Sequence, residues 1–364
     1  MFPRWVSGLV LPLTVAISAC GGGTSASAPP SSSAAASKPA AAAASSKPAA
    51  AQSGQPASAK AAAAVPFAVG YPAISANFTN FYVGVDEGIF RNNGLDVSLK
   101  LLRGSSSETQ ALVSGGVQSV ISEANPALAA MAKGVDTVYV GNAANGLSMA
   151  LVAEPSIKSV PELAGKSIGL LHVGALSDSA AHEVLPKLGL PLDKVKFQYL
   201  GDPATALAAL LAGKVPAMVS SAPQMFEAEQ KGYKILADFS KYPHVSNGVL
   251  VTQTFLKQHP DQVTNFLKGL IQANAYVKDP AHKAQVEDIL TKRTSIAAGP
   301  VLDKSYRYAA DSLLTDPTIK PGDLQDSIDW VKENSHATIT FDRAVDLKLL
   351  TALEKSGFVK PRAD

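Results

Sequence analysis

The side chains of this 364-residue chain best placed to do chemistry lie in six turns: YPAISANF (71–78), GSSSE (104–108), SEAN (122–125), GNAANG (141–146), HVGALSDSA (172–180) and SSAPQ (220–224). Each follows a β-like run. Small hydroxyl and amide groups at a helix start stand beside free backbone N–H groups and the positive end of the helix dipole, which favours an anion or a polar small molecule. Ser105, Ser106, Ser107 and Ser177 occupy such positions, and each can equally serve as a plain helix cap. Ser75, Asn77, Asn125, Asn142 and Ser221 add hydrogen-bonding groups to the same set. Phe78 and Tyr82 can stack on a ring, although their helical spacing also fits a core. His172 and His244 can donate to a ligand oxygen or be satisfied within their loops. Glu123 has three readings: acceptor for a ligand amine, partner of Arg103 or His172, or a solvated carboxylate. Asp178 joins the candidate set, though it and Asp202 read first as helix-start residues. Net ligand charge is left open.

Catalytic signatures are missing from the same turns. The chain has no GxGxxG and no GxxxxGK[ST] phosphate loop. His182-Glu183 is followed by Pro186 where a zinc helix needs its second histidine, and GLSMA (146–150) lacks the last glycine of a nucleophile elbow. The six histidines are far apart in sequence. Binding is therefore expected, with no cofactor and no metal. A net charge of +2, without a basic cluster, gives no case for nucleic acid.

Elements that could position these turns follow from periodicity. Short β-like runs alternate with helical segments from Pro66 onward, which predicts an α/β fold with mainly parallel strands. The strands are expected at 66–70, 95–102, 117–122, 136–142 and 147–154, then at KSIGLLH, VKFQYL, AMVSS and YKILADF. Phe78, Phe81, Tyr82, Val85 and Ile89 fall on one face of a first helix. Leu95, Asp96, Gly104, Gly116 and Pro126 recur 97 residues later as Leu192, Asp193, Gly201, Gly213 and Pro223. Chance in an Ala/Gly-rich chain is the competing account, but the matching order of elements favours two similarly built lobes. Ligands bind outside the carboxyl ends of parallel strands, so two facing lobes would line a cleft with the six turns. Lobe one is expected over 66–155 and lobe two over 156–246, with crossovers near Glu154-Pro155 and Ser246-Gly248. Residues 247–364 should return to lobe one with helices over 260–278, 302–315, 323–335 and 342–356; Leu324, Ile328 and Val331 give one of them an apolar face.

The N-terminus reads as an address. Arg4 precedes an apolar run from Val6 to Ala19, fourteen residues against the roughly 20 that a membrane span needs. That layout fits a signal peptide over 1–19. Ile17-Ser18-Ala19-Cys20 resembles the lipobox of bacterial lipoproteins, in which the cysteine is acylated; a free cysteine beside an ordinary cut site is the alternative. Cys20 is the only cysteine, so no disulfide competes for it. Residues 21–65 hold only Gly, Ala, Ser, Thr, Pro, Gln, Lys and Val. A chain of that composition cannot offset its ordering entropy by burial and should be a tether spanning about 35–40 Å.

Several stretches carry a family resemblance. FYVGVDEGIFRNNGLDVSL, ETQALVSGGVQSVISEANPALAAMAKG, IKSVPELAGKSIGLL, ALAALLAGKVPAMV and LTALEKSGFVK resemble, in order, substrate-binding proteins of the nitrate, sulfonate and taurine type, including those for pyrimidine precursors of thiamine. The resemblance covers nearly all of 66–364. It implies the two-lobed periplasmic binding protein fold (type II), a small-molecule ligand such as a sulfonate or pyrimidine, and delivery by a monomer to the permease and ATPase subunits of an ABC importer. An enzyme on the same scaffold, with Glu123 and His172 as its only candidate pair, and a sensor for a signalling receptor are the alternatives. The chain departs from the family at Gln118 and Pro216, where Asp is usual, at Pro186 late in a helix, and at Glu123, where relatives carry a small residue.

Overall fold

The computed structural model describes residues 63–360. The expected signal peptide, Cys20 and nearly all of the expected tether lie outside the described residues. In the first series β1 (Val65–Tyr71), β2 (Leu95–Leu101), β3 (Ser119–Ser122) and β4 (Val138–Asn142) alternate with α1 (Thr79–Asp86), α2 (Ile89–Asn92), α3 (Ser105–Val113) and α4 (Ala124–Ala132). The second series holds β5 (Ala150–Ala153), β6 (Ser167–Leu170), α5 (Leu176–Lys187), β7 (Lys196–Tyr199), α6 (Pro203–Leu211), β8 (Ala217–Ser220), α7 (Gln224–Gln230) and β9 (Lys234–Asp238). The chain then forms β10 (Gly248–Val251), α8 (Gln253–Gln258), α9 (Pro260–Lys278), α10 (Lys283–Thr294), α11 (Pro300–Ser312), α12 (Pro321–Ser335), α13 (Phe341–Ala344) and α14 (Lys348–Lys355).

These strands make two five-stranded sheets of the same plan, β2-β1-β3-β10-β4 and β7-β6-β8-β5-β9. The first three strands of each sheet are parallel, and the fourth runs antiparallel to both its neighbours. Central strands are covered on both faces, so β3, β5, β8 and β10 are buried along their whole length, and so is β4 at the edge of the first sheet. Edge strand β2 instead alternates buried and exposed residues through Val97.

Internal similarity is real in the strands but one or two residues out of step with the sequence estimate, at offsets of 98 and 99. Val69 lies opposite Ser119 in the first sheet as Ile168 lies opposite Ala217 in the second. Gly70 and Gly169 are correspondingly close-packed: a Cβ would sit 2.5 Å from Leu102 Cδ1 in one and 2.8 Å from Leu200 Cδ1 in the other. The left-handed glycines Gly115 and Gly134 have counterparts 98 residues on at Gly213 and Gly232. The offset of 97 had matched Gly116, not Gly115, with Gly213.

Four other expectations are corrected. The first crossover is not at Glu154-Pro155, because β5 pairs with β8 and β9 of the second sheet. The chain therefore leaves the first sheet after Asn142. The helix drawn through Phe78 and Ile89 is a 3-10 turn at 76–78 followed by α1 and α2, broken at Gly88 with φ +68°. The helix expected over 342–356 is split, because Val345 is extended and bridges Tyr139 of β4. Finally, α10 was not foreseen: only Val286, Ile289 and Leu290 are buried on it, too few to mark a stripe.

The C-terminal helices pack mainly on lobe one. α9 lies against α1 and α2, and α12 against α4 through Leu324 and Val331. α11 is the exception, since it also touches α7 of lobe two, with Tyr308 edge-on to Phe226 at 5.8 Å and Lys304 Nζ 2.7 Å from Glu229 Oε2. Pro186 falls one residue before the end of α5 and closes it, as its missing N–H requires. Gln118 takes over the role of a ladder group: Ala68 N donates to its side-chain Oε1 at 2.7 Å. No helix among the described residues is long and apolar enough to cross a membrane.

Candidate functional site

Two segments join the lobes, and they run side by side. Gly146 N donates to His244 O at 3.2 Å, Leu147 N to Tyr242 O at 3.2 Å and Ala143 N to Asn247 O at 3.0 Å. Gly146 has φ +80°, and a Cβ there would meet Ser240 O at 2.2 Å, so only glycine allows this pairing.

Beside this ribbon the carboxyl ends of both sheets enclose a cavity of about 360 Å³. Lobe one contributes the turns after β1, β2 and β3, through Ser75, Asn77, Phe78, Ser105, Glu108 and Glu123. Lobe two contributes His172 and Leu176 after β6, Asp202 after β7, and Ser221 and Gln224 after β8. Because β5 and β10 run the opposite way, their amino ends face the cavity and bring in Met149, Ser246 and Asn247. The lobes meet directly at one side: Ala76 N donates to Ala222 O at 3.1 Å, and Ser75 Oγ lies 3.0 Å from Ser221 Oγ.

Seven of the residues singled out from sequence line this cavity: Ser75, Asn77, Phe78, Ser105, Glu123, His172 and Ser221. Six others are not among the lining residues. Ser106 and Ser107 are on the exposed face of the first turn of α3. Ser177 Oγ accepts from Leu171 N at 2.9 Å, and Asn125 is buried with its N–H donating to the Glu123 carboxylate. Asn142 is fully buried within β4. Asp178 accepts from Gly174 N at 2.8 Å and from Tyr199 Oη at 2.8 Å. Its burial works against ionisation, but the contacts from His182, Gly174 and Tyr199 outweigh that and hold the carboxyl below its ordinary range. Asp202, read as a helix start, does cap α6, accepting from Thr205 N at 2.9 Å, and it lines the cavity as well.

Glu123 is neither solvated nor paired with Arg103 or His172. It is 7% exposed, and its Oε2 lies 3.1 Å from His244 Nε2. Ser179 Oγ of α5, in the other lobe, donates to Oε1 at 2.9 Å. His244 is fully buried, and its Nδ1 lies 3.3 Å from Glu183 Oε2, within ion-pair reach but off the hydrogen-bond line. Burial alone would drive the proton off His244, yet the two carboxylates outweigh it and hold its pKa up at about 9. The imidazolium thus ties the second crossover to both lobes.

Sequence reasoning missed Glu108, Asn247, Gln224 and Met149. Glu108 is 4% exposed on α3, with Oε2 accepting from Ser122 Oγ at 3.0 Å. Burial pushes its carboxyl up to about 8, against the Ser122 hydrogen bond and with the charge of Glu123 adding to the shift. Asn247 Nδ2 donates to Asn77 O at 2.7 Å, and Asn77 Nδ2 to Ser148 O at 3.1 Å. In the stretch GSSSE the small hydroxyls stood out as cap or ligand groups, and the carboxylate that closes it did not.

A family model described as NMT1/THI5 like matches residues 75–283. No curated protein sequence matches the chain. Among solved structures, the alkanesulfonate-binding protein SsuA from Xanthomonas axonopodis pv. citri bound to MOPS has TM-score 0.63 at 18% identity, covering 78% of this chain and 97% of that one. The periplasmic aliphatic sulphonate binding protein SsuA from Escherichia coli has TM-score 0.61 at 22% identity, covering 77% and 92%. The desulfurization enzyme DSZB has TM-score 0.58 at 13% identity, covering 80% and 99%. These likenesses are of fold: the two sheets and paired crossovers are the two-lobed periplasmic binding protein architecture.

Proposed function

The chain belongs to the NMT1/THI5-like family, and from that premise we propose that it is a lipid-anchored, extracytoplasmic solute-binding receptor for an ABC importer. The observation that carries this reading is the cavity of about 360 Å³ between two lobes joined by a paired, glycine-dependent ribbon. Such a volume suits a small organic molecule. The ribbon is the place where the lobes would hinge apart to admit it. Ser75, Asn77, Phe78, Ser105, Glu123, His172 and Ser221 are the contacts proposed for the ligand. The closed form is what permease and ATPase subunits would receive. Residues 1–19 are proposed as the signal peptide, Cys20 as the acylated residue and 20–65 as the tether, on the outer face of a bacterial membrane or in the periplasm.

Thermal-shift measurements on the full chain with small sulfonates, carboxylates, pyrimidines and amines test the reading. A ligand that binds the native state raises the unfolding midpoint by mass action. Recovery of the hit unchanged supports a receptor. The likeness to DSZB is the one observation that favours an enzyme on this scaffold. Its nominated pair, Glu123 with His172, is not formed, because Glu123 is taken by His244. Conversion of the hit into a product would establish the enzyme and remove the receptor.

A further inference from the structure

A chain of alternating charges crosses the boundary between the lobes and ends at the cavity. Its outer end is Asp326 of α12, the helix that packs on α4 of lobe one; Lys187 Nζ of α5, in lobe two, lies 3.0 Å from its Oδ2. Lys187 Nζ is also 3.7 Å from Oε1 of Glu183, one turn back on α5. Glu183 Oε2 lies 3.3 Å from Nδ1 of His244, whose Nε2 meets Glu123, and Glu123 accepts from the Ser179 hydroxyl, again on α5. Asp326 and Lys187 are exposed, the Glu183 side chain is 9% exposed, and His244, Glu123 and Ser179 are buried.

Three of these links join α5 to groups outside lobe two: Lys187–Asp326, Glu183–His244 and Ser179–Glu123. The other two lie on one side of the boundary. Glu183 and Lys187 are i and i+4 of one helix, in the order that favours pairing. His244 makes its aligned contact with Glu123 at the start of α4, whereas its line to Glu183 is off the hydrogen-bond direction. Parted between α4 and α5, the chain leaves two neutral pairs, Glu183–Lys187 and Glu123–His244. A buried charge stripped of its partner is strongly destabilising, and this separation strips none.

We propose that this chain is the latch of the cavity: its three cross-boundary links hold α5 against lobe one in the closed form, and all three part before the cavity opens to a ligand. The proposal rests on the hinge of the receptor reading. Glu123 is the link that also lines the cavity, so the latch reaches from the outer surface to the ligand's own wall.

Amide hydrogen exchange on the full chain at pH 7 tests this at three sites. Ala76 N donates to Ala222 O across the lobes, whereas Leu102 N donates to Tyr71 O within lobe one and Leu200 N to Leu170 O within lobe two. Protection at Ala76 therefore reads how often the lobes part, and the other two amides read opening of each lobe itself. In the natural protein Ala76 is expected to be less protected than Leu102 and Leu200 by about tenfold or more. Glu183→Gln should lower Ala76 protection by a further factor of about ten, and Ser179→Ala by about fivefold. Asp326→Asn, which removes only an exposed pair, should lower it by at most about fivefold. Leu102 and Leu200 should change less than about threefold in all three variants. Glu183→Asp, which keeps the charge, should restore part of the protection. Melting curves verify folding, and Ser179→Ala carries the test if Glu183→Gln does not fold. Equal losses at all three amides would make these residues plain structural supports and overturn the latch. Ala76 protection that neither Glu183→Gln nor Ser179→Ala lowers overturns it too, and both results leave the hinge in place. Natural Ala76 protection equal to that of Leu102 and Leu200 is the separate result that removes the hinge, and the latch with it.

Discussion

His244 Nε2 lies 3.1 Å from Glu123 Oε2, and both side chains are buried at the point where the second crossover passes between the lobes. Removing one partner of a buried ion pair leaves an uncompensated charge and costs about 3–5 kcal/mol. Glu123→Gln and His244→Asn are each expected to lower stability by about that much in urea unfolding. The pH dependence has a definite sign. The folded-state pKa of His244 is about 9, above its ordinary 6.5, so its contribution is full below about 6.5 and is lost as pH rises through 9. An unfolding free energy for the wild type that holds constant from pH 6 to pH 10 contradicts this.

Glu108 adds a second slope at lower pH. Its folded carboxyl titrates at about 8 against 4.5 in the unfolded chain, so the folded state holds the proton more tightly and stability falls as pH rises from about 4.5 to 8. Glu108→Gln should flatten that part of the profile, and at pH 8 should be the more stable protein by on the order of 3 kcal/mol. Its measured curve separates the two groups, because the His244 slope survives in it.

Gly146 has φ +80° and no room for a methyl group against Ser240 O. Gly146→Ala is expected to cost at least about 2 kcal/mol and to loosen the ribbon between lobes. Hydrogen exchange at Gly146 and Leu147 reads the ribbon directly, since their amides donate to His244 O and Tyr242 O. Unchanged protection at these two sites would count against a hinge here.

Cys20→Ser tests the anchor. Buried acyl chains contribute about 0.8 kcal/mol per methylene, so two or more chains hold a protein firmly to a bilayer. In detergent phase partition the natural chain should follow the detergent and Cys20→Ser the water. Equal partition of both would refute acylation at Cys20.

Much of this architecture is legible in the sequence because parallel strands and their helices carry local periodicity: α9 begins and ends where the pattern puts it. What the sequence conceals is set by partners distant along the chain. The strands β5 and β10 read like any other apolar run, and only pairing reveals that they run antiparallel and turn Met149 and Asn247 toward the cavity. The Glu123–His244 contact spans 121 positions and has no local signature. Serine at a helix start is ambiguous for a physical reason, since the same geometry serves a cap and a ligand; Ser105 reaches the cavity while Ser106 and Ser107 face outward.

That ambiguity yields a comparison that needs no ligand. Asn247 is 2% exposed, and its Nδ2 donates to Asn77 O at 2.7 Å, holding the turn after β1 against the start of β10. Asn247→Ala leaves a buried carbonyl without its donor, a loss of about 1–3 kcal/mol. Ser106→Ala and Ser107→Ala remove exposed hydroxyls for which no hydrogen bond is recorded among the described residues, and should stay within about 0.5 kcal/mol of the natural protein. Urea unfolding of the three variants at pH 7 checks the order. A Ser106 or Ser107 substitution as costly as Asn247→Ala would mean that the first turn of α3 is buried in solution, and that the cavity wall runs along a different face of that helix.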